Sequence, residues 1–314
     1  MKNMKKCLLN YQLSLSEIAI NNANEHSEVS IASGLNSTDK EYAAASHQSA
    51  SLYLLERDEH KVNLFIYDTK SEREEVKRLK TPKPLDIYSC TALLPNSELF
   101  CFGMYPLFGT TLIFDSNYKA HKLPSGTPCF YSSAIYFNKS VYCFGGSNDQ
   151  GLLNLSCRFD LNSNRWIKLA PMPKPDWYCN LITFNRNILI SGVWNKNIWL
   201  YSVDINSFSV IPYEFAWLKR KILINAEERL YLIECEGEAI YESRIGDEYA
   251  WERIGNSIIP FCPSYVFWAY NERGIYIGCI EYKNRKKTRH YYKFNIDRKE
   301  LIELKNNKPA CNLF

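Results

Sequence analysis

The sequence predicts an all-β protein, a six-bladed β-propeller of four-stranded antiparallel blades. Short apolar segments alternate with polar turns and repeat at roughly 45-residue intervals, which is typical of a propeller array. The clearest unit has an apolar segment at residues 141–144, then Gly145-Gly146, an aromatic residue before Asp160, and Trp166. Tyr and Phe are abundant, with 22 and 16 copies, and such residues favour strands.

The repeat is most regular at the turn that should follow the third strand of each unit. Six segments carry an acidic or amide residue there, and five of them have an aromatic residue directly before it. A short polar side chain at this position can accept hydrogen bonds from the following backbone amides, which favours a tight turn. The six positions are Asp68, Asp115, Asp160, Asp204, Glu242 and Asn295.

Apolar segments flank each of these turns and predict the other strands. One strand precedes the third strand, another opens the unit in five of the six repeats, and a fourth follows the turn. A four-stranded sheet of this kind needs neighbouring sheets to cover both of its faces, and radial stacking in a ring provides them. The first unit lacks a clear opening strand. Residues 41–46 or residues 308–314 could supply it, and the sequence leaves both choices open.

The composition divides the chain into three parts. Residues 1–44 are predicted to be an N-terminal tail, with apolar residues at helical spacing between Leu8 and Ile18 and then a polar, flexible stretch. Residues 45–305 are predicted to form the propeller. Residues 306–314 are either a C-terminal tail or the closing strand.

Charge and cysteine usage restrict the function classes. A net charge of +4 is too small to indicate a nucleic-acid partner, and no apolar run is long enough for a membrane span. The eleven cysteines show no Cys-x-x-Cys spacing, and most lie in apolar strand segments. We therefore expect buried free thiols, a cytoplasmic location, and neither a metal site nor a cofactor.

The paired glycines, the aromatic residue after them and the later tryptophan resemble the Kelch repeat. The resemblance extends over about residues 45–305 and is most complete at residues 132–171. It implies a propeller whose motif residues are structural. These residues are Gly103, Gly145, Gly146, Phe159, Trp166, Gly192, Trp251 and Gly278.

The resemblance also implies that one face of the ring is built from two sets of loops, those between second and third strands and those that join successive blades. Several large aromatic residues fall in these loops, and exposed aromatic residues are typical of protein interfaces. An alternative is that the tyrosines close the mouth of the central channel by packing on each other. The predicted binding residues are Tyr88, Tyr105, Phe108, Tyr131, Trp177, Tyr178, Trp194, Trp217 and Tyr265.

The sequence thus predicts a non-enzymatic protein-protein interaction module, a scaffold or substrate-recruiting adaptor that binds a protein or peptide through these loops. No catalytic residue is predicted. The alternative is a propeller enzyme of the oxidase or glycan-processing type with a degenerate site, although the five histidines are scattered. Residues 147–151 are expected to be an ordinary loop. The basic run at residues 283–290 is expected to be a long solvated loop, with a contact for an acidic partner or phosphate as the alternative. The partner and the oligomeric state are left open.

Overall fold

The computed structural model describes most of residues 51–304. The gaps in this range are residues 59–60, 80–89, 104–108, 194, 196, 212–220, 227–228, 237–238, 245–249, 262–264, 272 and 284–285. Every regular element among the described residues is a β-strand, as the sequence predicts.

Apart from one two-stranded hairpin, the described strands form six antiparallel sheets in chain order, which are the blades. Blade 1 contains β1 (Ser51–Asp58), β2 (Lys61–Asp68) and β3 (Arg73–Leu79). Blade 2 contains β4 (Cys90–Leu93), β5 (Leu99–Phe102), β6 (Thr111–Phe114) and β7 (Ala120–Leu123). Blade 3 contains β8 (Ser133–Phe137), β9 (Ser140–Phe144), β12 (Ser156–Asp160) and β13 (Arg165–Lys168), with a small hairpin of β10 (Ser147–Asn148) and β11 (Gly151–Leu152) between β9 and β12.

The last three blades each have four strands in simple sequential order. Blade 4 contains β14 (Asn180–Phe184), β15 (Asn187–Ser191), β16 (Ile198–Ser202) and β17 (Ser207–Ile211). Blade 5 contains β18 (Lys221–Ala226), β19 (Arg229–Glu234), β20 (Ile240–Arg244) and β21 (Trp251–Gly255). Blade 6 contains β22 (Tyr265–Asn271), β23 (Gly274–Lys283), β24 (Lys286–Asn295) and β25 (Glu300–Leu304).

The predicted polar turns explain the hairpins. Asp68 Oδ1 accepts hydrogen bonds from the backbone N–H groups of Lys70 and Ser71, each at 2.8 Å, and Asp160 Oδ1 accepts one from Ser163 N–H at 2.7 Å. Because the Asp160 turn joins the third and fourth strands of blade 3, the matching Asp68 turn identifies β1–β3 as the second to fourth strands of blade 1. The first strand of this blade and both of its candidate segments lie outside the described residues, as do the predicted N-terminal and C-terminal tails.

The core consists of six apolar clusters, one between each pair of neighbouring blades. The cluster between blades 6 and 1 includes Leu52, Tyr67, Tyr276 and Tyr291. This contact closes the ring and confirms the six-bladed propeller. In blades whose strands alternate in direction, the turns joining strands one to two and three to four lie on one face of the ring. The loops joining strands two to three and successive blades lie on the other.

Two segments differ from the expected loops. The basic run at residues 283–290 is mostly strand, because β23 and β24 are each ten residues long and pair from Ile275 with Phe294 to Lys283 with Lys286. Residues 147–151 lie in the hairpin of β10 and β11, in which Ser147 pairs with Leu152. In both places a polar sequence continues the backbone pairing beyond the apolar segment that predicts the strand.

Candidate functional site

Two loops that join successive blades bring four aromatic side chains together. The loop from blade 2 to blade 3 supplies Phe130 and Tyr131, and the loop from blade 3 to blade 4 supplies Trp177 and Tyr178. The Tyr131 ring centroid lies 4.8 Å from that of Phe130, 5.1 Å from that of Trp177 and 4.8 Å from that of Tyr178. Tyr131 is buried at the base, whereas the other three are half-buried. We call these four residues the aromatic cluster.

The backbone joins the two loops directly. Tyr178 N–H donates a hydrogen bond to the Tyr131 carbonyl oxygen at 2.9 Å. Both tyrosines have left-handed backbone conformations, with φ of 61° and 47°, which non-glycine residues seldom adopt. Such conformations cost free energy and persist only where the surroundings impose them. The two tyrosines are therefore held in a fixed mutual arrangement.

The double glycine of the predicted motif allows this arrangement. Gly145 follows β9 with φ of 66°, and a Cβ atom there would lie 2.3 Å from the Asp176 carbonyl oxygen. Gly146 has φ of 108°, and its N–H donates to the same carbonyl at 2.7 Å. Both φ values and the close approach require glycine. The glycine pair therefore allows the interblade loop that carries Trp177 to pack closely against the end of β9.

Asp176 organises the same loop through its side chain and is fully buried. Its Oδ1 accepts backbone N–H bonds from Trp177 at 2.9 Å and Val193 at 3.2 Å. Its Oδ2 accepts the Asn195 backbone N–H at 3.1 Å and Asn195 Nδ2–H at 3.2 Å. A Cβ atom on Gly192 would lie 1.7 Å from Oδ2, so this position also requires glycine.

These contacts place both loop sets on one face for blades 2 to 4. Phe130 and Ser147 exchange backbone hydrogen bonds of 2.9 and 2.7 Å, which joins an interblade loop to the loop after β9. Asp176 joins the next interblade loop to residues 193–195, which follow β15. The side chain of Asp176 connects loops that are far apart in sequence, and its burial has no signal in the local sequence.

The two predicted motif tryptophans pack against apolar side chains of the blades. Trp166, in β13, packs against Phe102 and Phe159 at 4.4 and 5.3 Å, and its Nε1–H donates to the Pro124 carbonyl at 2.9 Å. Trp251 lies at the start of β21 against the cluster between blades 4 and 5. Both tryptophans are half-buried rather than fully buried, because the outermost strands lie at the rim of the blades.

The single-glycine positions fall into two groups. Gly103 and Gly192 each follow directly after a second strand, as Gly145 does. Gly278 instead lies inside β23, where the Phe267 ring covers it and a Cβ atom would lie 2.0 Å from Cε2. The long hairpin of blade 6 therefore continues past Gly278.

The structure brings together three of the predicted binding residues, namely Tyr131, Trp177 and Tyr178. Tyr131 is more buried than expected for a rim residue. Tyr88, Tyr105, Phe108, Trp194 and Trp217 lie outside the described residues, as does the side chain of Tyr265, whose backbone begins β22. Their predicted roles stay predictions.

The predicted thiols are buried and free. Among the described residues, eight cysteines are buried as thiols and form no disulfide bond. Burial raises the pKa of the Cys101 and Cys143 thiols well above their usual value, so both are protonated at neutral pH. Among the described residues, no group of three or more His, Cys, Asp or Glu side chains could hold a metal ion.

A groove lies between blades 2 and 3 on the face opposite the aromatic cluster. It has a volume of about 430 Å³, and its lining includes Leu94, Pro95 and Glu98 from the first turn of blade 2 and Leu161 and Asn164 from the last turn of blade 3. Of the residues selected from the sequence, only Phe159 contributes to its lining.

Comparisons with known proteins agree with this geometry. Residues 128–173 match the family model described as Kelch motif. This segment runs from the loop before blade 3 to the loop after it and contains Gly145, Gly146, Phe159 and Trp166, so the resemblance is confirmed where the sequence shows it best. A comparison with curated proteins found no match. In the described part of the chain, no helix is long and apolar enough to cross a membrane.

Proposed function

We propose that this protein is a non-enzymatic Kelch-type interaction module, a scaffold or substrate-recruiting adaptor. It binds a protein or peptide through the aromatic cluster and the loops around it on one face of the propeller. The observation that carries the proposal is the half-buried aromatic surface of Phe130, Trp177 and Tyr178, which two interblade loops hold over the buried Tyr131 ring.

The chemistry of the cluster favours a protein partner. Large aromatic side chains that keep exposed surface are typical of interaction hot spots, because they bury much apolar area and lose little conformational entropy. The cluster is also held in place before binding, since Asp176 and the two glycines fix its loops. A preorganised surface loses less entropy when it binds.

The charge of the aromatic cluster also limits the chemistry of the partner. Trp177 and Tyr178 carry no formal charge, and the nearby Asp176 carboxylate is buried and hydrogen-bonded. We therefore expect a partner segment that presents apolar or aromatic side chains rather than a strongly acidic peptide. The free buried thiols are consistent with action in the cytoplasm, since reducing compartments keep cysteines free.

The test is affinity capture from extracts of the source cells with wild type, Trp177→Ala and Tyr118→Ala as baits. Tyr118 is the matched control, because it is also half-buried and left-handed, with φ of 60°, but lies in a turn on the opposite face. We expect Trp177→Ala to lose most of the partner signal, at least about tenfold, which corresponds to about 1.4 kcal/mol. Tyr118→Ala should keep that signal.

Circular dichroism and thermal melting of each bait check that it is folded. Equal recovery by wild type and folded Trp177→Ala would contradict the proposal, as would selective loss with Tyr118→Ala.

A further inference from the structure

Among the described residues, the outermost strand of each blade pairs with a neighbouring strand on one side only, and its charge pattern differs among blades. An edge strand exposes unpaired backbone N–H and C=O groups, and proteins commonly protect it with charged side chains. Five of the six outermost strands, β3, β7, β13, β21 and β25, carry Lys, Arg or Glu. The strand β17, with the sequence Ser-Phe-Ser-Val-Ile, carries no charge.

The strand β17 also exposes apolar surface. Val210 is 48 % exposed, and Ile205, in the turn that leads into the strand, is 73 % exposed. Within the described part of the chain, β17 pairs only with β16. Its outer edge is therefore both uncharged and unpaired there.

Side chains on both faces of β17 are packed against the core, so the strand is held in place at the rim. Phe208 packs against Tyr201 at 4.9 Å on the side of blade 3, and Ile211 is buried in the cluster between blades 4 and 5. Val210 lies two residues from Phe208 and therefore on the same face of the sheet. An anchored strand can accept a new neighbour without first paying the entropy cost of becoming ordered.

We propose that β17 pairs with β17 of a second copy of this chain, antiparallel about a two-fold axis, so that two blades join into one continuous sheet. A pairing centred on Ser209 places Phe208 of one copy opposite Val210 of the other, and Ser207 opposite Ile211. An aromatic residue opposite a β-branched residue is a favourable cross-strand pair. Two-fold pairing is also the commonest symmetry of soluble oligomers.

The charge pattern of β17 favours a second copy of this chain as the partner strand. When β17 pairs with itself, no charged residue lies opposite another charged residue. The same operation on β13 would place Arg165 opposite Lys168 of the other copy, and like charges directly opposite each other are destabilising. The proposal does not depend on the aromatic cluster, since β17 contains none of its residues.

The first test is sedimentation velocity of the full chain over a range of concentrations. We expect a reversible dimer in wild type and a dimer dissociation constant at least about tenfold larger in Val210→Lys, a change of about 1.4 kcal/mol. Ile302→Lys is the matched control, because Ile302 is 40 % exposed on another outermost strand, β25. It should dimerise like wild type.

The second test is independent of the stability of the lysine variant. Opposed residues of an antiparallel pair have Cα atoms about 4.5–5.5 Å apart, within the range that a disulfide spans. Ser209→Cys should therefore form a covalent, reducible dimer with diamide as the oxidant, whereas wild type and Ile302→Cys should not. A wild type that stays monomeric at every concentration, a dimer that Val210→Lys leaves unchanged, or no more crosslinking in Ser209→Cys than in Ile302→Cys would overturn the proposal.

Discussion

At the scale of single residues, Asp176 explains why the candidate surface has a defined shape. Its buried carboxylate accepts hydrogen bonds from Trp177, Val193 and Asn195, so three loop positions depend on one side chain. Buried polar groups are costly unless they are fully hydrogen-bonded, and a network of this kind specifies one loop conformation. Trp177 projects from the residue directly after this anchor.

Asp176→Asn should weaken both folding and binding, because an amide NH₂ group would face N–H donors where an oxygen now accepts. We expect a loss of about 2 kcal/mol in the free energy of unfolding, measured by denaturant titration. Partner capture should also fall. Asp149→Asn makes the same charge change at an exposed position of a nearby loop and should change stability by less than about 0.5 kcal/mol. Equal effects of the two changes would show that the Asp176 network does not organise the loop.

The sequence could predict Trp177 and Tyr178 as surface aromatics but not the role of Asp176. Aromatic residues in loops are visible in a single sequence, since strand alternation cannot bury them. The burial of Asp176 depends on Gly192 and Asn195, which follow in a different blade. Long-range contacts of this kind have no local sequence pattern.

At the scale of the elements, ion pairs join neighbouring blades at their rims. Glu242 in β20 is buried and accepts from Arg229 of β19 and from Lys299 Nζ of the blade 6 hairpin, the latter at 3.3 Å. Burial alone would raise the pKa of Glu242, but hydrogen bonds from Arg229 and Lys299 hold it below its usual value. The folded state thus favours the ionised carboxylate.

Glu242→Gln should reduce stability in a pH-dependent way. A carboxyl group whose pKa is lowered by folding stabilises the protein above its unfolded pKa of about 4.3, and this contribution is lost as the pH falls through the folded value. We therefore expect a difference from wild type of about 2 kcal/mol at neutral pH that shrinks in acid. Denaturant titrations at several pH values measure it, with the exposed Glu300→Gln as control. A difference that stays constant or grows as the pH falls would contradict this account of Glu242.

The turn chemistry was predictable at this scale, whereas the strand lengths of blade 6 were not. Asp68 and Asp160 form their turns through local hydrogen bonds, which depend only on nearby residues. The basic run at residues 283–290 shows no alternation of apolar and polar residues, so the sequence predicts a loop there rather than strand. The two basic side chains of this run that the structure describes lie against carboxylates, Arg289 against Glu74 at 3.2 Å and His290 between Glu281 and Glu303 at 3.3 and 3.2 Å.

At the scale of the whole molecule, contacts between blades 6 and 1 close the ring. Glu74 in β3 accepts hydrogen bonds from Arg289 Nε at 3.2 Å and from the Tyr291 hydroxyl. The Arg289 guanidinium also lies 3.7 Å from the Phe65 ring centroid, and the Tyr67 and Tyr291 rings stack at 4.3 Å. Burial and the nearby Glu74 carboxylate raise the pKa of Tyr291, so its hydroxyl stays protonated and donates.

Glu74→Gln should destabilise the whole propeller, because a closed ring depends on its last interface. Removing one partner of a largely buried ion pair costs about 3 kcal/mol, whereas an exposed change costs less than about 0.5 kcal/mol. Glu75→Gln, one residue along β3 and exposed, is the matched control. Thermal melting compares them. A similar melting temperature for wild type and Glu74→Gln would mean that this contact does not hold the ring closed.

The number of blades followed from the repeat, but the way in which the ring closes did not. Six acidic or amide turns are countable in the sequence, and each corresponds to one blade. The contact between Glu74 and Arg289 joins residues 215 positions apart, and neither lies in a motif. The first strand of blade 1 stays a prediction with two candidate segments.

The most direct test of the central claim is hydrogen–deuterium exchange of the protein alone and in complex with the protein most enriched by wild-type capture. The account predicts that binding protects the backbone amides of residues 127–131 and 174–179, the two interblade loops that carry the aromatic cluster. Protection confined to residues 94–98 and 161–164, the turns that line the groove on the opposite face, would contradict it.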